Sequence, residues 1–377
     1  LAAGFETTVC PALADEDTSR LKLNYNVSAT LREPFFFSRR TSAALTIFGE
    51  RRSEFDAYIR RAVGGDASVT LRTGWNIPVT LSYRLSYGST RAEPATFCAF
   101  LNICRVEDTR TFTENIVRAT LALSSVWDRR NSTLNPSQGT LISAELRHAS
   151  TLIGSDTLSQ FNKGTLDFAS YHPVGRRAVF SWRVKLGTIV APEIALSGQD
   201  PSFIPPEERF YAGGPTTVRG FAQNELGPVV RVLDSRSTDS VTVTRVGGAD
   251  TTLVGDLRTS PVGGNDLIVA NVELRFPLPG FSGRLSGAVF VDAGQLRTRG
   301  SELVDLTGFR ITPGGGLRIL SPLGPMRLDV AINPYDAQES LIYVEDAGQL
   351  TALDGSFRPK RSFLGRVRLH FSVGQAF

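Results

Sequence analysis

The feature that most constrains the fold of this chain is a strict alternation of apolar and polar residues over Leu21–Arg32. Its odd positions hold leucine, tyrosine, valine or alanine, and its even positions hold lysine, asparagine, serine, threonine or arginine. A period of two is typical of a β-strand, because successive side chains point to opposite faces. Strands of soluble proteins average about five or six residues, whereas a tilted strand needs about 9–11 residues to cross a membrane. This alternation is long enough for a membrane-spanning strand.

The same alternation recurs along the chain, and helical periodicity is hard to find. It is clearest in four further segments, Val79–Tyr87, Phe180–Gly187, Met326–Asn333 and Arg366–Val373. We therefore predict an all-β chain of about fourteen strands. The predicted strands are Leu1–Thr7 (a partial strand), Leu21–Pro34, Ser42–Arg51, Ala67–Trp75, Val79–Ser89, Asn115–Trp127, Gly139–His148, Gly164–His172, Arg177–Ala191, Leu267–Phe276, Arg284–Ala293, Gly308–Leu320, Met326–Ile332 and Ser362–Phe377.

The breaks between these strands alternate in length. Short breaks that contain proline are followed by longer polar ones such as Glu93–Thr113 and Ala191–Asn265. An outer-membrane barrel has this rhythm, with short periplasmic turns and long extracellular loops. A soluble β-sandwich is the alternative, but it requires shorter strands and two sheets packed face to face. The pattern favours a transmembrane antiparallel β-barrel.

Composition is compatible with a barrel and excludes other classes. Charged residues make up 21% of the chain, and no run of 18 apolar residues is present, so a helical membrane protein is excluded. A barrel averages to neutral hydropathy, because apolar and polar residues alternate along its strands. The net charge of +4 comes from dispersed arginines rather than a basic stripe. We therefore expect no nucleic-acid partner.

Cysteine and histidine give little sign of metal chemistry or catalysis. Cys10, Cys98 and Cys104 form no CxxC motif, so we expect no metal site. Cys98 and Cys104 fall in one predicted loop, where they are either free or joined in a disulfide, and the state of Cys10 is open. None of the three histidines lies in a nucleophile motif. The sequence favours a protein that is not an enzyme and uses no cofactor.

Four motif regions carry a family resemblance. They are Val126–Arg130 with Asn135–Gly139, then Arg209–Phe221, then Asn271–Leu278 with Gly287–Gly294, and finally Gly314–Arg318 with Ser321–Asp329. In order and spacing these regions resemble the barrel domain of the BamA/TamA assembly-factor superfamily, also described as the bacterial surface antigen barrel domain. The second region is similar to the tip of that family's sixth extracellular loop. The resemblance covers roughly Leu21 to Phe377.

The resemblance implies an architecture, a function and partners. Residues 1–377 are expected to form one barrel domain of a sixteen-stranded barrel, with the first strands and the periplasmic POTRA domains absent, and with the long extracellular loop folded into the lumen. The implied function is BamA-like insertion of other β-barrels into the bacterial outer membrane. A TamA-like factor or a two-partner-secretion translocation pore is the alternative, and a passive structural or porin-type barrel is an alternative from another class. Expected partners are outer-membrane lipid, lipopolysaccharide, unfolded β-barrel clients and periplasmic or lipoprotein accessory subunits.

By the same resemblance, the loop motif Val218-Arg219-Gly220-Phe221 is a candidate functional site. In the family its arginine pairs with two lumen acids, which correspond to Glu273 and Asp292 here. Strand parity independently turns both carboxylates inward, where an arginine fork can satisfy them. The alternative is that the acids pair with wall arginines, namely Arg275, Arg284 or Arg318.

Glycines and the C-terminus supply the remaining candidates. Gly213 and Gly214 precede no Walker lysine or Rossmann spacing, so they predict a tight turn rather than a phosphate cradle. Gly314–Gly316 predicts an interrupted strand with a bulge, a bend or close packing, or alternatively room for the loop tip. The ending with Phe371, Val373, Gly374 and Phe377 is similar to the signal by which barrels are recognised for assembly. It is also compatible with a simple closing strand.

Overall fold

The wall of the molecule is one large antiparallel sheet. The computed structural model describes residues 2–8, 24–101, 104–107, 109–175, 177–193, 203–234, 240–246, 248, 250–280, 285–298, 308–321, 324–346 and 348–373. The fourteen wall strands are β1 (Ala2–Thr8), β2 (Asn24–Glu33), β3 (Thr41–Glu54), β4 (Tyr58–Arg72), β5 (Pro78–Ala92), β6 (Ile116–Asp128), β7 (Gly139–Ala149), β8 (Phe161–Val174), β9 (Ala178–Val190), β14 (Asp266–Pro277), β15 (Leu285–Arg297), β16 (Arg310–Ser321), β17 (Gly324–Ile332) and β21 (Val367–Val373). Each pairs with the next in this order, and within the described residues no pairing joins β1 to β21. The all-β prediction of about fourteen strands is confirmed.

The sheet is apolar outside and polar inside, as a membrane barrel requires. On β14, Val272 is 44% exposed while the next residue, Glu273, is 3% exposed. On β15, Val291 is 46% exposed and Asp292 is fully buried. A soluble sheet would bury the valines and expose the acids. This inversion is that of a wall with lipid on one side and a filled lumen on the other.

The connections alternate between the two ends of the barrel. One end, the short-turn end, has connections such as residues 73–77 between β4 and β5 and residues 278–284 between β14 and β15. The other, the long-loop end, includes residues 93–115, 191–265 and 333–366, although the β3–β4 turn at this end has only three residues, 55–57. We call residues 191–265 the lumen loop.

Two small sheets lie within these long connections, which is a correction to the sequence analysis. Their strands are β10 (Val229–Asp234), β11 (Ser240–Arg245), β12 (Asp250–Val254), β13 (Asp256–Pro261), β18 (Ile342–Asp346), β19 (Gln349–Ala352) and β20 (Phe357–Pro359). Strands β13, β10, β18 and β19 form one sheet, here called the crown sheet, and β12, β11 and β20 form the other. They escaped prediction because strands of three to six residues carry too little periodic signal.

The predicted loop Glu93–Thr113 contains two short helices, α1 (Pro94–Leu101) and α2 (Arg110–Thr113). A disulfide joins Cys98 of α1 to Cys104. Cys98 and Ala95 pack with Val230 and Tyr343 of the crown sheet, and this packing holds the disulfide-closed loop against the crown. No helix among the described residues combines the length and the apolar character needed to cross a membrane.

Several predicted strand boundaries were wrong. Strand β4 begins at Tyr58, nine residues before the predicted start, because Gly64 and Gly65 break the apolar pattern without breaking the ladders to β3 and β5. Strand β21 begins at Val367 rather than at Ser362, because a 3-10 turn occupies Leu364–Arg366. Phe371 and Val373 lie on its outward face. The predicted signal residues Gly374 and Phe377 lie outside the described residues.

Candidate functional site

The tip of the lumen loop is a tight turn built from glycine and threonine. Gly213 and Gly214 have φ angles of +109° and +90°, a region that disfavours residues with a side chain. The Thr217 hydroxyl accepts a hydrogen bond from Gly213 N (2.8 Å) and donates one to Gly213 O (2.9 Å). Gly214 N in turn donates to Phe221 O at 3.0 Å. These bonds form the turn that the sequence predicted and present residues 218–221 to the wall.

The four residues of the loop motif have separate tasks. Val218 and Phe221 are buried in an apolar cluster with Leu267 and Val269 of β14. Gly220 approaches β16 so closely that a Cβ there would lie 2.3 Å from Thr312 Cγ2. Apolar packing and the close approach of Gly220 thus place Arg219 opposite the wall acids.

Arg219 binds both acids that the sequence analysis assigned to it. Its Nε and Nη2 donate to Asp292 Oδ2 and Oδ1, each at 2.7 Å, and its Nη1 donates to Glu273 Oε2 at 2.6 Å. All three side chains are at least 97% buried. Burial alone would lower the pKa of Arg219, but Asp292 and Glu273 outweigh it and raise that pKa above its ordinary value. The guanidinium therefore remains charged, and the carboxylates have the cation they need.

The alternative partners of the acids are also present. Glu273 Oε2 accepts from Arg318 Nη2 at 2.9 Å, and Glu273 Oε1 lies 4.0 Å from Arg275 Nε. Arg284 lies outside the described residues. Glu273 binds Arg219 and Arg318 at the same time. The loop arginine is therefore added to an ion-pair network that the wall residues also form among themselves.

Two members of this network were not assigned from the sequence. Asp329 of β17 accepts from Arg318 Nη1 at 2.5 Å and lies 3.8 Å from Arg219 Nη1. Asn271 of β14 donates to Asp292 Oδ1 at 2.8 Å and to Thr217 O at 2.6 Å. The alternation in Met326–Asn333 already turns Asp329 inward, so parity was the signal that could have identified it.

The Phe290 ring lies beneath the Arg219 guanidinium, and glycines of β16 leave room for Phe290 and Asp329. Arg219 Cζ is 3.3 Å from the centroid of the Phe290 ring, a cation–π contact. A Cβ on Gly314 would lie 2.4 Å from Phe290 Cζ, and a Cβ on Gly316 would lie 2.2 Å from Asp329 Oδ1. The expected interruption at Gly314–Gly316 was wrong, because β16 runs through it, but the expectation of close packing is confirmed.

The loop tip also contacts the last described strand. His370 of β21 lies with its Nε2 2.8 Å from Arg219 O, and this nitrogen must donate because a carbonyl oxygen can only accept. No role was predicted for His370 from the sequence. Here it joins the loop tip to β21.

A second anchor holds the lumen loop eleven residues before Arg219. Glu207 Oε1 accepts from Arg118 Nη2 (2.6 Å) and Arg60 Nη1 (2.9 Å). Glu208 Oε2 accepts from Arg147 Nη1 at 2.9 Å, and Lys163 Nζ donates to Glu208 O at 2.8 Å. We call Glu207 and Glu208 the acid anchor, and Arg219 with Glu273 and Asp292 the arginine anchor. No motif pointed to the acid anchor.

The acid anchor is ionised despite its burial. Burial by itself would raise the pKa of Glu207, but Arg118 and Arg60 outweigh this effect and bring it down to about 2. Burial likewise opposes ionisation of Glu208, and Arg147, Arg118 and Lys163 lower its pKa. The loop is therefore held by opposite charges at two points, acids against β4–β8 and an arginine against β14, β15 and β17.

This arrangement positions a loop rather than a substrate. Each charged group of the two anchors is occupied by a partner within the protein. Among the described residues, no cluster of three or more histidine, cysteine or acidic side chains is placed to hold a metal. What remains is a barrel whose lumen is crossed by its own loop.

Comparison with known proteins identifies the family. The sequence profile of the Omp85 superfamily domain matches residues 16–377. The chain belongs to the Omp85 superfamily. The resemblance inferred from the four motif regions is thereby confirmed, and the loop tip with its anchors lies entirely within the Omp85 domain.

Individual relatives match over shorter stretches. The chain is 33% identical over 112 residues to the mouse sorting and assembly machinery component 50 homolog, covering 30% of this chain and 22% of that protein. It is 28% identical over 139 residues to the chloroplastic outer envelope protein 80 of Arabidopsis thaliana, covering 35% of this chain and 14% of the relative. These matches span about a fifth or less of the relatives' own length.

A solved structure supports the Omp85 fold. BamA from Haemophilus ducreyi lacking POTRA domains 1–3 is similar with a TM-score of 0.59 and 19% sequence identity. The match covers 89% of this chain and 61% of that one. At this identity the likeness concerns the fold, namely the barrel wall of an Omp85 protein.

Proposed function

We propose that this Omp85 barrel folds and inserts other β-barrel proteins into the outer membrane of a bacterium. Its partners would be unfolded barrel clients, outer-membrane lipid and lipopolysaccharide, and periplasmic or lipoprotein accessory subunits. The protein would act without a cofactor and without enzymatic turnover. The similarity to a protein named as a component of a sorting and assembly machinery supports assembly over other tasks.

One contact carries the proposal, the hydrogen bond between His370 Nε2 and Arg219 O. It ties β21 to the loop tip, which is itself fixed to β14 and β15 through the arginine anchor. Strand β21 is thus held from inside the lumen as well as by its ladder to β17. A strand held from inside can keep its position while its other edge exchanges partners.

The physical problem of barrel insertion explains why such a strand is useful. Unpaired N–H and C=O groups cannot remain in lipid, so a client strand must pair as it enters. A strand edge offers those groups as a template for an added strand. Among the described residues, β21 pairs with β17 at seven positions, and its other edge has no partner strand. This free edge of β21, a strand held in place from inside the lumen, is the one that can receive a client strand.

A passive pore is disfavoured by the filled lumen. The lumen loop enters it with two buried anchors, and its apolar residues pack against β14. An open channel would leave charged lumen residues facing water instead. A TamA-like factor or a translocation pore for a secreted partner shares the loop, so this alternative is decided by experiment.

The test is depletion of the full-length protein followed by quantitative profiling of outer-membrane proteins. Broad loss of many barrels is the expected result. Loss of one or a few barrels or secreted proteins, with the rest intact, would assign the dedicated or secretory role. Unchanged barrel levels together with measurable conductance would contradict the proposal. Complementation with His370→Ala, compared with His172→Ala on β8, tests the contact that carries it.

A further inference from the structure

A cavity outside the two anchors has an unusual lining. It has a volume of about 280 Å³ and lies at the long-loop end, between residues 222–225 of the lumen loop, the crown sheet and the start of β21. Its charged lining residues are Arg231, Arg361 and Arg368 against Glu225 and Asp56. Three cations against two acids leave the lining positive. The volume is several times the ~30 Å³ of one water molecule, so a small anion fits with its hydration.

Two of the arginines are held by Glu225. Arg368 Nη2 lies 3.2 Å from Glu225 Oε2, and Arg361 Nη2 pairs with Glu225 Oε1. Glu225 is fixed in turn by the amide of Ala222, which donates to its Oε2 at 2.7 Å. Glu225 thus orients both guanidinium groups beside the cavity without using all of their donors.

The third arginine is fixed by the crown. Arg231 of β10 donates from Nη1 to Ser340 Oγ and from Nη2 to Gln338 O, both at 2.6 Å. Neither partner carries a charge, although Arg231 is 97% buried. Burial and the neighbouring Arg361 lower the pKa of Arg231 to about 10, despite the opposing effect of Glu225. A buried cation without a full counter-charge favours a nearby anion.

In the described part of the chain, each of the three arginines has a buried donor nitrogen without a hydrogen-bond partner. Arg231 Nε, Arg368 Nε and Arg361 Nη1 are buried and have no hydrogen-bond partner among the described residues. Buried donors ordinarily find partners, and three orphans around one cavity indicate a shared acceptor. A tetrahedral phosphate offers several oxygens in different directions, whereas a carboxylate offers two in one plane.

We propose that this cavity binds a phosphate group, held by Arg231, Arg361 and Arg368. The phosphate is either free or part of a lipid headgroup. In both cases, its bound position is next to the loop tip and β21, so occupancy stabilises the seated loop.

The test measures binding of radiolabelled inorganic phosphate to the full-length protein in detergent by equilibrium dialysis at physiological ionic strength. Saturable binding at one site per chain is expected. Arg231→Gln and Arg361→Gln should each weaken it about tenfold or more, because each removes a charge-assisted hydrogen bond. Glu225→Gln keeps an amide oxygen that can still accept from the arginines but removes the competing negative charge, so it should tighten binding. Arg358→Gln is the matched control, since Arg358 pairs with Asp336 on the surface, and it should leave binding unchanged.

The arginine variants should weaken phosphate binding and the glutamate variant should tighten it, so a general loss of structure cannot produce both results. If an arginine variant does not fold, as judged by loss of the heat-dependent gel shift of a barrel, Glu225→Gln carries the test alone. Absence of saturable binding to the wild type, or identical binding in Glu225→Gln, would overturn the proposal. Nanodiscs containing phosphatidic acid distinguish the source. Displacement of inorganic phosphate by this lipid, relative to phosphatidylcholine, assigns a headgroup, and no displacement assigns a free phosphate.

Discussion

The guanidinium of Arg219 and the carboxylate of Asp292 form a two-point fork inside the barrel, with both donor–acceptor distances at 2.7 Å. The backbone N–H of Arg219 donates to the same carboxylate at 3.0 Å. Asp292 therefore fixes both the side chain and the main chain of the loop tip. Such a fork depends on planar geometry as well as on charge.

Replacing Arg219 should release the loop tip. Arg219→Ala leaves two buried carboxylates without their shared cation, which costs about 3–5 kcal/mol for a broken buried pair. Arg219→Lys keeps the charge but loses the fork, so a smaller effect is expected. Limited proteolysis with mass-spectrometric mapping of residues 203–226 reads out the exposure. Arg358→Ala is the control, and unchanged protection of the loop in Arg219→Ala would contradict the anchoring.

A steric test uses Gly294 of β15 and Val218 of the loop tip. A Cβ on Gly294 would lie 2.6 Å from Val218 Cγ2, so Gly294→Ala should push the tip from the wall at a cost of about 1–3 kcal/mol. Val218→Ala removes the clashing methyl group. The double variant should therefore be less destabilised than the sum of the single variants. Additive effects in urea-induced unfolding would show that the two residues do not touch.

The acid anchor should weaken at low pH. Because the folded pKa of Glu207, about 2, lies below its ordinary value of 4.5, its contribution is present above pH 4.5. It is lost as pH falls from there through about 2. Backbone hydrogen exchange of residues 203–210, taken relative to the intrinsic exchange rate at each pH, should accelerate as the pH falls across this window. Glu207→Gln should flatten the dependence, whereas the surface variant Glu345→Gln should retain it.

His370 should couple β21 to the loop. His370→Ala removes one hydrogen bond, worth about 1 kcal/mol net, so only a modest loss of stability is expected. The loss of barrel-insertion rate into liposomes should exceed what this small loss of stability alone would cause, because the bond holds β21 to the loop tip. His172→Ala is a fair comparison, since that imidazole bonds only to Ser170 on its own strand among the described contacts. Equal insertion rates for both variants would remove His370 from the mechanism.

The disulfide should protect the segment around α1. Cys98 and Cys104 carry no thiol while they are joined in the disulfide, so their alkylation is expected only after reduction. Cys98→Ser with Cys104→Ser should destabilise the segment around α1 by about 2 kcal/mol on the chain-entropy argument. Hydrogen exchange of residues 94–101 measures this change. Equal exchange rates with and without the disulfide would contradict it.

The positions of the wall strands could be predicted from the sequence, because apolar residues that face outward alternate along each strand with polar residues that face the lumen. Glu273 and Asp292 were placed inward by this parity, and Asp329 could have been placed in the same way. Parity predicts a direction but not a partner. The family resemblance supplied Arg219, and only the fold showed that Glu273 is shared with Arg318.

The acid anchor and the crown could not be predicted in this way. Glu207 binds Arg60, which lies 147 residues away in the sequence. No periodic pattern around either residue predicts the other as its partner. The crown strands are short and belong to the loops, where side-chain alternation is brief. Contacts between an irregular loop and a regular wall depend on the curvature of the sheet, which local sequence does not encode.

The two anchors also imply an order of assembly for this barrel itself. Every wall partner of the acid anchor, from Arg60 to Lys163, precedes the lumen loop in the chain, whereas Glu273, Asp292 and His370 all follow it. The first half of the wall can therefore capture the loop before the second half is in place. The captured loop then presents Arg219 as a nucleus for the strands that arrive later. A chain whose strands pair in their sequence order can in this way build its wall around its own loop, with no need to thread the loop into a finished barrel.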